Sequence, residues 1–218
     1  MTTSGGLINI VANALGQNAE TVGVHVRNLR LAALLSRRGV GKSAATMSAL
    51  DAARVLLAAA ASVQAKDSVE SVLGFGKLLS AEGARAAARG KDTAAFTLEH
   101  ALALELLDVA VRWPSPRVVS DSLYVDSFWE ADDSRVEAGP VLQLFTTLGN
   151  QHAVERAAVL RRFASPAKGA TATPLYFGAG GRKHPAMDEA SFCRATGANI
   201  TQSRTIAAKA LVYITRRL

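Results

Sequence analysis

Gly41-Lys42-Ser43 is the first grouping with chemical potential in this 218-residue sequence, because a lysine and a hydroxyl behind a glycine can hold phosphate. A phosphate-binding loop of the G-x-x-x-x-G-K-[ST] kind needs a second glycine five residues before Gly41, and Ser36 stands there. The stretch before it has the spacing of a helix rather than a strand, and no acidic strand end follows to hold magnesium, so nucleotide hydrolysis is disfavoured. The four histidines, His25, His100, His152 and His184, stand in unrelated contexts, and neither a Ser-His-Asp set nor a metal site can be assembled from their spacing. His25 lies at the edge of an apolar helix side, where packing or contact with a phosphate is expected rather than catalysis. Asp121, Asp126, Glu130, Asp132 and Asp133 form an acidic cluster without the ordered spacing of a calcium loop, and a solvated strand face and turn is expected there. Gly178 to Lys183 has the composition of an anion-binding loop, with a hairpin turn as its default reading. Cys193, the single cysteine, sits beside Phe192 and reads as a buried thiol. No nucleophile, base and orienting group come together, so the expectation is a protein that is not an enzyme and uses no cofactor or metal.

A second chemistry, recognition of nucleic acid, is better supplied. Arg27 and Asn28 are residue types that pair bidentately with guanine and adenine edges, Thr21 can bond a base or a phosphate, and Val24 can meet a thymine methyl. Arg37, Arg38, Lys42 and Ser43 would neutralise or bond phosphates, which gives affinity more than specificity. Glu20 is explained by the dipole of the helix it starts. A solvated basic loop needs no ligand, however, and short amphipathic helices joined by Gly and Asn are common in helical domains.

The elements that must position these residues are legible as helices. Leu7, Ile8, Val11, Ala14 and Leu15 recur at helical spacing, and Gly16-Gln17-Asn18 breaks the pattern. From Glu20, the positions Val22, Val26, Leu29 and Ala33 line one side of a second helix, with Thr21, Val24, Arg27 and Asn28 opposite. Leu34 to Ser43 reads as a basic hairpin or extended loop, and Ser48 with Asp51 opens a helix that runs to about Ala61. Helix, tight turn, helix, basic hairpin and helix is the order of a winged helix-turn-helix, whose second helix enters the major groove.

The run from Leu15 to Ala60, with Arg38-Gly39-Val40-Gly41-Lys42 followed by Asp51-Ala52-Ala53-Arg54-Val55, resembles the winged helix-turn-helix of the MerR and excisionase superfamily. It is also similar to the DNA-binding domain of phage terminase small subunits, where a glycine-rich wing precedes an Asp-x-Ala-x-x-hydrophobic helix. The resemblance covers about the first quarter of the chain and implies binding of double-stranded DNA, without choosing between transcriptional control and DNA packaging.

Composition agrees with a globular chain: 49% of residues are hydrophobic and 20% charged, with a net charge of +7. The charge is uneven. Residues 1–65 carry +4, residues 66–137 carry −5 and residues 138–218 carry +8, so two basic ends flank an acidic middle and could form one surface if the fold brings them together. No apolar run reaches the length of a membrane span, no secretory or lipidation signal is evident, and the lone cysteine suits a reducing compartment; the expectation is a cytoplasmic protein without a membrane partner.

Further along, Asp67 to Leu79 reads as a helix, Ala81 to Lys91 as a linker or frayed helix, and Asp92 to Val111 as the strongest helix, ended by Trp113-Pro114-Ser115-Pro116. Its stripe of Leu98, Leu102, Leu106 and Val109 suits burial on most sides or contact with a second subunit. Beyond Pro116, segments around Leu123 to Trp129, Val136, Val141 to Leu148, Leu175 to Phe177 and Ser191 to Thr205 predict antiparallel strands; Gln151 to Phe163 fits a helix or a strand, and Ile206 to Leu218 a closing helix. The expected fold is α+β: a winged helix-turn-helix in residues 1–65, a helical linking or oligomerising region in 66–111, and a mixed domain in 112–218. The expected function is a sequence-specific DNA-binding protein of phage or mobile-element type regulating transcription, acting as a homodimer or higher homo-oligomer. A packaging factor and a non-enzymatic interaction protein are the alternatives.

Overall fold

The computed structural model describes residues 2–36, 46–112, 141–147, 156–161, 174–178, 201–215 and 217–218. Helix α1, Ser4–Leu15, starts where the Thr3 hydroxyl accepts the Gly6 N–H and stops at Gly16, whose φ of 63° lets the chain turn left-handed without a Cβ penalty. Two residues later the Asn18 side chain accepts the Glu20 N–H at 2.8 Å and opens α2, Ala19–Leu31. Helix α3, Ala49–Ala61, begins with the expected capping box: Ser48 Oγ accepts the Asp51 N–H, and the Asp51 carboxylate accepts the Ser48 N–H. Ten of its thirteen residues are buried, which suits an alanine-rich helix that neighbours approach from all sides. A 3-10 turn at Ala65–Asp67 leads into α4, Ser68–Gly76. There follow β1, Leu79–Ser80; α5, Ala81–Ala87; a 3-10 turn at Ala94–Phe96; and α6, Leu98–Arg112.

The strands β2, Val141–Thr147; β3, Arg156–Arg161; β4, Leu175–Gly178; and β5, Thr201–Ile206, precede α7, Ala208–Thr215. They join β1 in a five-stranded antiparallel sheet of order β1-β4-β3-β2-β5. The register sets Leu142 opposite both Leu160 and Ile206, and Leu144 opposite Ala158 and Arg204, so one sheet face is apolar apart from Arg204. That face joins the helices, while Phe145, Ala157 and Val159 with Tyr176 form a second small cluster on the other. The architecture is α+β, as the sequence predicts.

Leu7 of α1, Leu56 of α3, Leu102 of α6, Leu142 of β2 and Leu211 of α7 belong to one continuous cluster. Polar ties reinforce it. Arg204 donates to the Ala60 carbonyl, and Arg156 pairs with Glu70 at 2.6 Å while lying against Gly74, where any Cβ would meet its guanidinium.

Several elements differ from expectation. The helix expected from Asp92 begins at Leu98, because the Asp92 side chain accepts the Ala94 N–H and diverts the chain into a 3-10 turn. Its leucines Leu98, Leu102 and Leu106 face the chain's own core, and those left exposed are Leu104 and Leu107. The helix expected to Leu79 ends at Gly76, and Leu79-Ser80 is a strand instead, paired with Phe177 and Gly178. Ala81–Ala87, expected as a linker or frayed helix, is helical because the Ser80 hydroxyl caps it. The ambiguous Gln151 to Phe163 contributes a strand, Arg156–Arg161. The expectations at Leu123 to Val136, and the part of Ser191 to Thr205 before residue 201, fall outside the described residues.

Candidate nucleic-acid interface

Helix α2 buries one side and exposes the other. Val22, His25, Val26 and Leu29 are buried, and Thr21, Val24 and Arg27 are exposed together on the opposite side. Three of the expected recognition residues therefore share one solvent-facing surface. Asn28 lies at its edge, half-buried, and its side-chain amide donates to the Ala65 carbonyl at 2.7 Å. The amide carries a second N–H and its oxygen, so the bond to Ala65 fixes the side chain's orientation without using up its donors and acceptor.

The inner side is anchored by polar as well as apolar contacts. His25 Nδ1 lies 2.7 Å from Ser68 Oγ, and the Ser68 hydroxyl donates to the Ala65 carbonyl. A hydroxyl that has given its only proton must accept from its other neighbour, which places the imidazole proton on Nδ1. Burial lowers the His25 pKa below its ordinary value. His25 is thus a packing residue that ties α2 to the start of α4, one of the two roles expected for it. Asn28 and His25, one turn apart on α2, hold the same corner of the fold.

Between α1 and the exposed side of α2 runs an open groove with a volume of about 710 Å³, lined by Ile8, Glu20, Gly23, Val24, Val26, Arg27, Arg30 and Leu31. Thr21 and Asn28 lie on the other flank of the helix. Arg30 is the functional candidate that sequence reading missed: its spacing of three from Arg27 signals a shared face, but half-burial masks it as a flanking residue. Its Nε is buried and has no hydrogen-bond partner among the described residues.

The expected wing residues Arg37, Arg38, Lys42 and Ser43 lie outside the described residues, but the chain on either side of them is well held. Asp51 Oδ1 accepts the Ser36 N–H at 2.9 Å, and Oδ2 accepts the Ser36 hydroxyl and both the N–H and hydroxyl of Ser48, each at 2.8 Å. Burial raises the Asp51 pKa, and these four hydrogen bonds outweigh it, so the carboxyl is held below its ordinary value. Arg54 adds a bond to the Leu34 carbonyl at 2.6 Å while gripping Glu99 of α6 with two guanidinium nitrogens. Met47 donates its N–H to the Thr2 carbonyl.

The two basic ends of the sequence also meet. The Thr2 hydroxyl donates to the Arg217 carbonyl at 2.6 Å, and the Arg217 guanidinium stacks 3.8 Å from the centre of the Tyr213 ring. Asn13 of α1 donates to the Tyr213 hydroxyl of α7. The proximity considered from charge alone is present between α1 and α7.

Among the described residues, no group of His, Cys, Asp and Glu is placed to hold a metal ion, and no helix is long and apolar enough to cross a membrane. His152, His184, Cys193 and the acidic cluster from Asp121 to Asp133 lie outside them. Comparison with known protein families, curated proteins and solved structures returns no match for this chain.

Proposed function

We propose that this chain is a sequence-specific double-stranded DNA-binding protein of the winged helix-turn-helix kind, presenting the exposed side of α2 to the major groove. The observation that carries the reading is the division of α2 itself: Thr21, Val24 and Arg27 share one solvent-facing side of a helix whose other side is pinned by Val22, Val26, Leu29 and the His25 contact to Ser68. A reading helix must be rigid, since mobility would smear the hydrogen-bond geometry that distinguishes bases. The three-residue link from α1 to α2 and the following α3 support the same assignment. Arg37, Arg38, Lys42 and Ser43 would supply phosphate contacts. The protein would work in the cytoplasm as a homodimer or higher homo-oligomer on repeated half-sites, as a transcriptional regulator of phage or mobile-element type.

The test is selection from a pool of random duplex DNA by the full chain at two salt concentrations, with solution mass recorded in parallel. An enriched inverted repeat bound by a dimer is expected. Binding without enrichment at the mass of a ring would redirect the assignment to DNA packaging. No binding at moderate salt would remove DNA from the reading and favour a role in protein assembly.

A further inference from the structure

The buried Arg30 Nε–H has no acceptor among the described residues, and such a group costs free energy until an acceptor arrives. Among the described residues neither Arg30 nor Arg27 enters an ion pair. The two stand one helical turn apart along the groove beside α1, with Ile8 and Val26 among its apolar walls. Glu20, the acidic residue of that groove, is ten positions from Arg30, roughly 15 Å along the helix axis, so the Arg30 end is positive.

We infer that Arg30, one turn from Arg27 on the flank of α2 beside α1, is a half-buried clamp for a phosphodiester of the DNA backbone; this rests on the reading of α2 as the DNA-facing helix. Phosphates line both rims of the major groove, so a helix lying in it sets its central residues toward bases and a flank toward one strand. Val24 and Arg27 occupy the base-facing part, Thr21 lies toward the far flank, and Arg30 holds the flank beside α1. A phosphate oxygen there completes the Arg30 hydrogen bonding, and the apolar walls strengthen the charge contact by excluding water. A guanidinium fork matches a phosphate's paired oxygens better than a lysine's point charge does.

The experiment measures binding of the full chain to a labelled random-sequence duplex across a salt series, for wild type, Arg30→Met and Arg30→Lys, with thermal unfolding of each. Arg30→Met is expected to weaken binding to all duplexes alike and to make the slope of log K against log salt shallower by about 0.9, one phosphate's worth. Its melting temperature should equal or exceed wild type, because the orphaned donor is gone. Arg30→Lys should keep the wild-type slope. Wild-type slope and affinity in Arg30→Met would overturn the clamp while leaving DNA binding intact, as would a lowered melting temperature with an unchanged slope. Failure of the wild-type protein to bind any duplex would overturn both readings. Competition by poly-glutamate as effective as that by duplex of equal charge would assign the groove to an acidic protein partner and also overturn the phosphate.

Discussion

Ser36 and Asp51 are fifteen residues apart in sequence and joined by two hydrogen bonds, N–H to Oδ1 at 2.9 Å and hydroxyl to Oδ2 at 2.8 Å. The same carboxylate caps α3 through Ser48. One side chain therefore fastens the chain both before and after residues 37–45, at the root of the segment that carries Arg37, Arg38 and Lys42.

Asp51→Asn is expected to destabilise the fold by about 2 kcal/mol, because an amide keeps the shape but turns a donor toward donors and removes the charge from the hydrogen bonds. The carboxyl's pKa is lowered from 3.8, so the stability it contributes is present above that value and is lost as pH falls through the folded pKa. Denaturant midpoints of wild type and variant should accordingly converge between pH 4 and more acidic solution. Parallel curves would count against this role.

His25 also makes the fold acid-sensitive, through burial of its neutral form. Its folded pKa lies below 6.5, so the unfolded chain binds the proton first, and stability falls as pH drops through 6.5 until the folded pKa is passed. Denaturant midpoints at pH 7.5 and 5.5 should differ more for wild type than for His25→Gln, which cannot take up a proton. Equal differences in the two proteins would remove His25 as a source of acid sensitivity.

Ala33 ends α2 with φ of 57°, and Leu34 donates its N–H back to the Leu29 carbonyl, the turn geometry that glycine adopts without steric cost. Ala33→Gly should stabilise the protein by about 0.5–1 kcal/mol despite the added freedom of the unfolded chain. A calorimetric melting point lower than wild type would contradict this.

Arg54 links α3 to α6 through Glu99 and to the Leu34 carbonyl, with both charged side chains about one-fifth exposed. A double-mutant cycle of Arg54→Met and Glu99→Gln should give a coupling of about 1 kcal/mol, with Arg54→Met costing more than Glu99→Gln because it also leaves the Leu34 carbonyl without its donor. Additive effects would show that the pair is held without contributing.

Local order was legible in the residues. The break at Gly16 to Asn18, the Ser48 and Asp51 box, the apolar side of α2, the mixed β-branched and aromatic composition of β2 and the α+β class all come from patterns within a few residues of one another. So did the face holding Thr21, Val24 and Arg27, because helical periodicity alone sorts exposed from buried positions. The tertiary structure decided which neighbours those surfaces meet. Two-residue β1 has no periodicity to read, and it exists because Phe177 and Gly178 pair with it across about a hundred residues. The leucines of α6 fill the space beside α3, where spacing could not distinguish the chain's own core from a second subunit. Asn28 meets the Ala65 carbonyl and Arg30 sinks beside α1 for the same reason: a helix period states which side a residue is on, and only packing of distant segments states what that side touches.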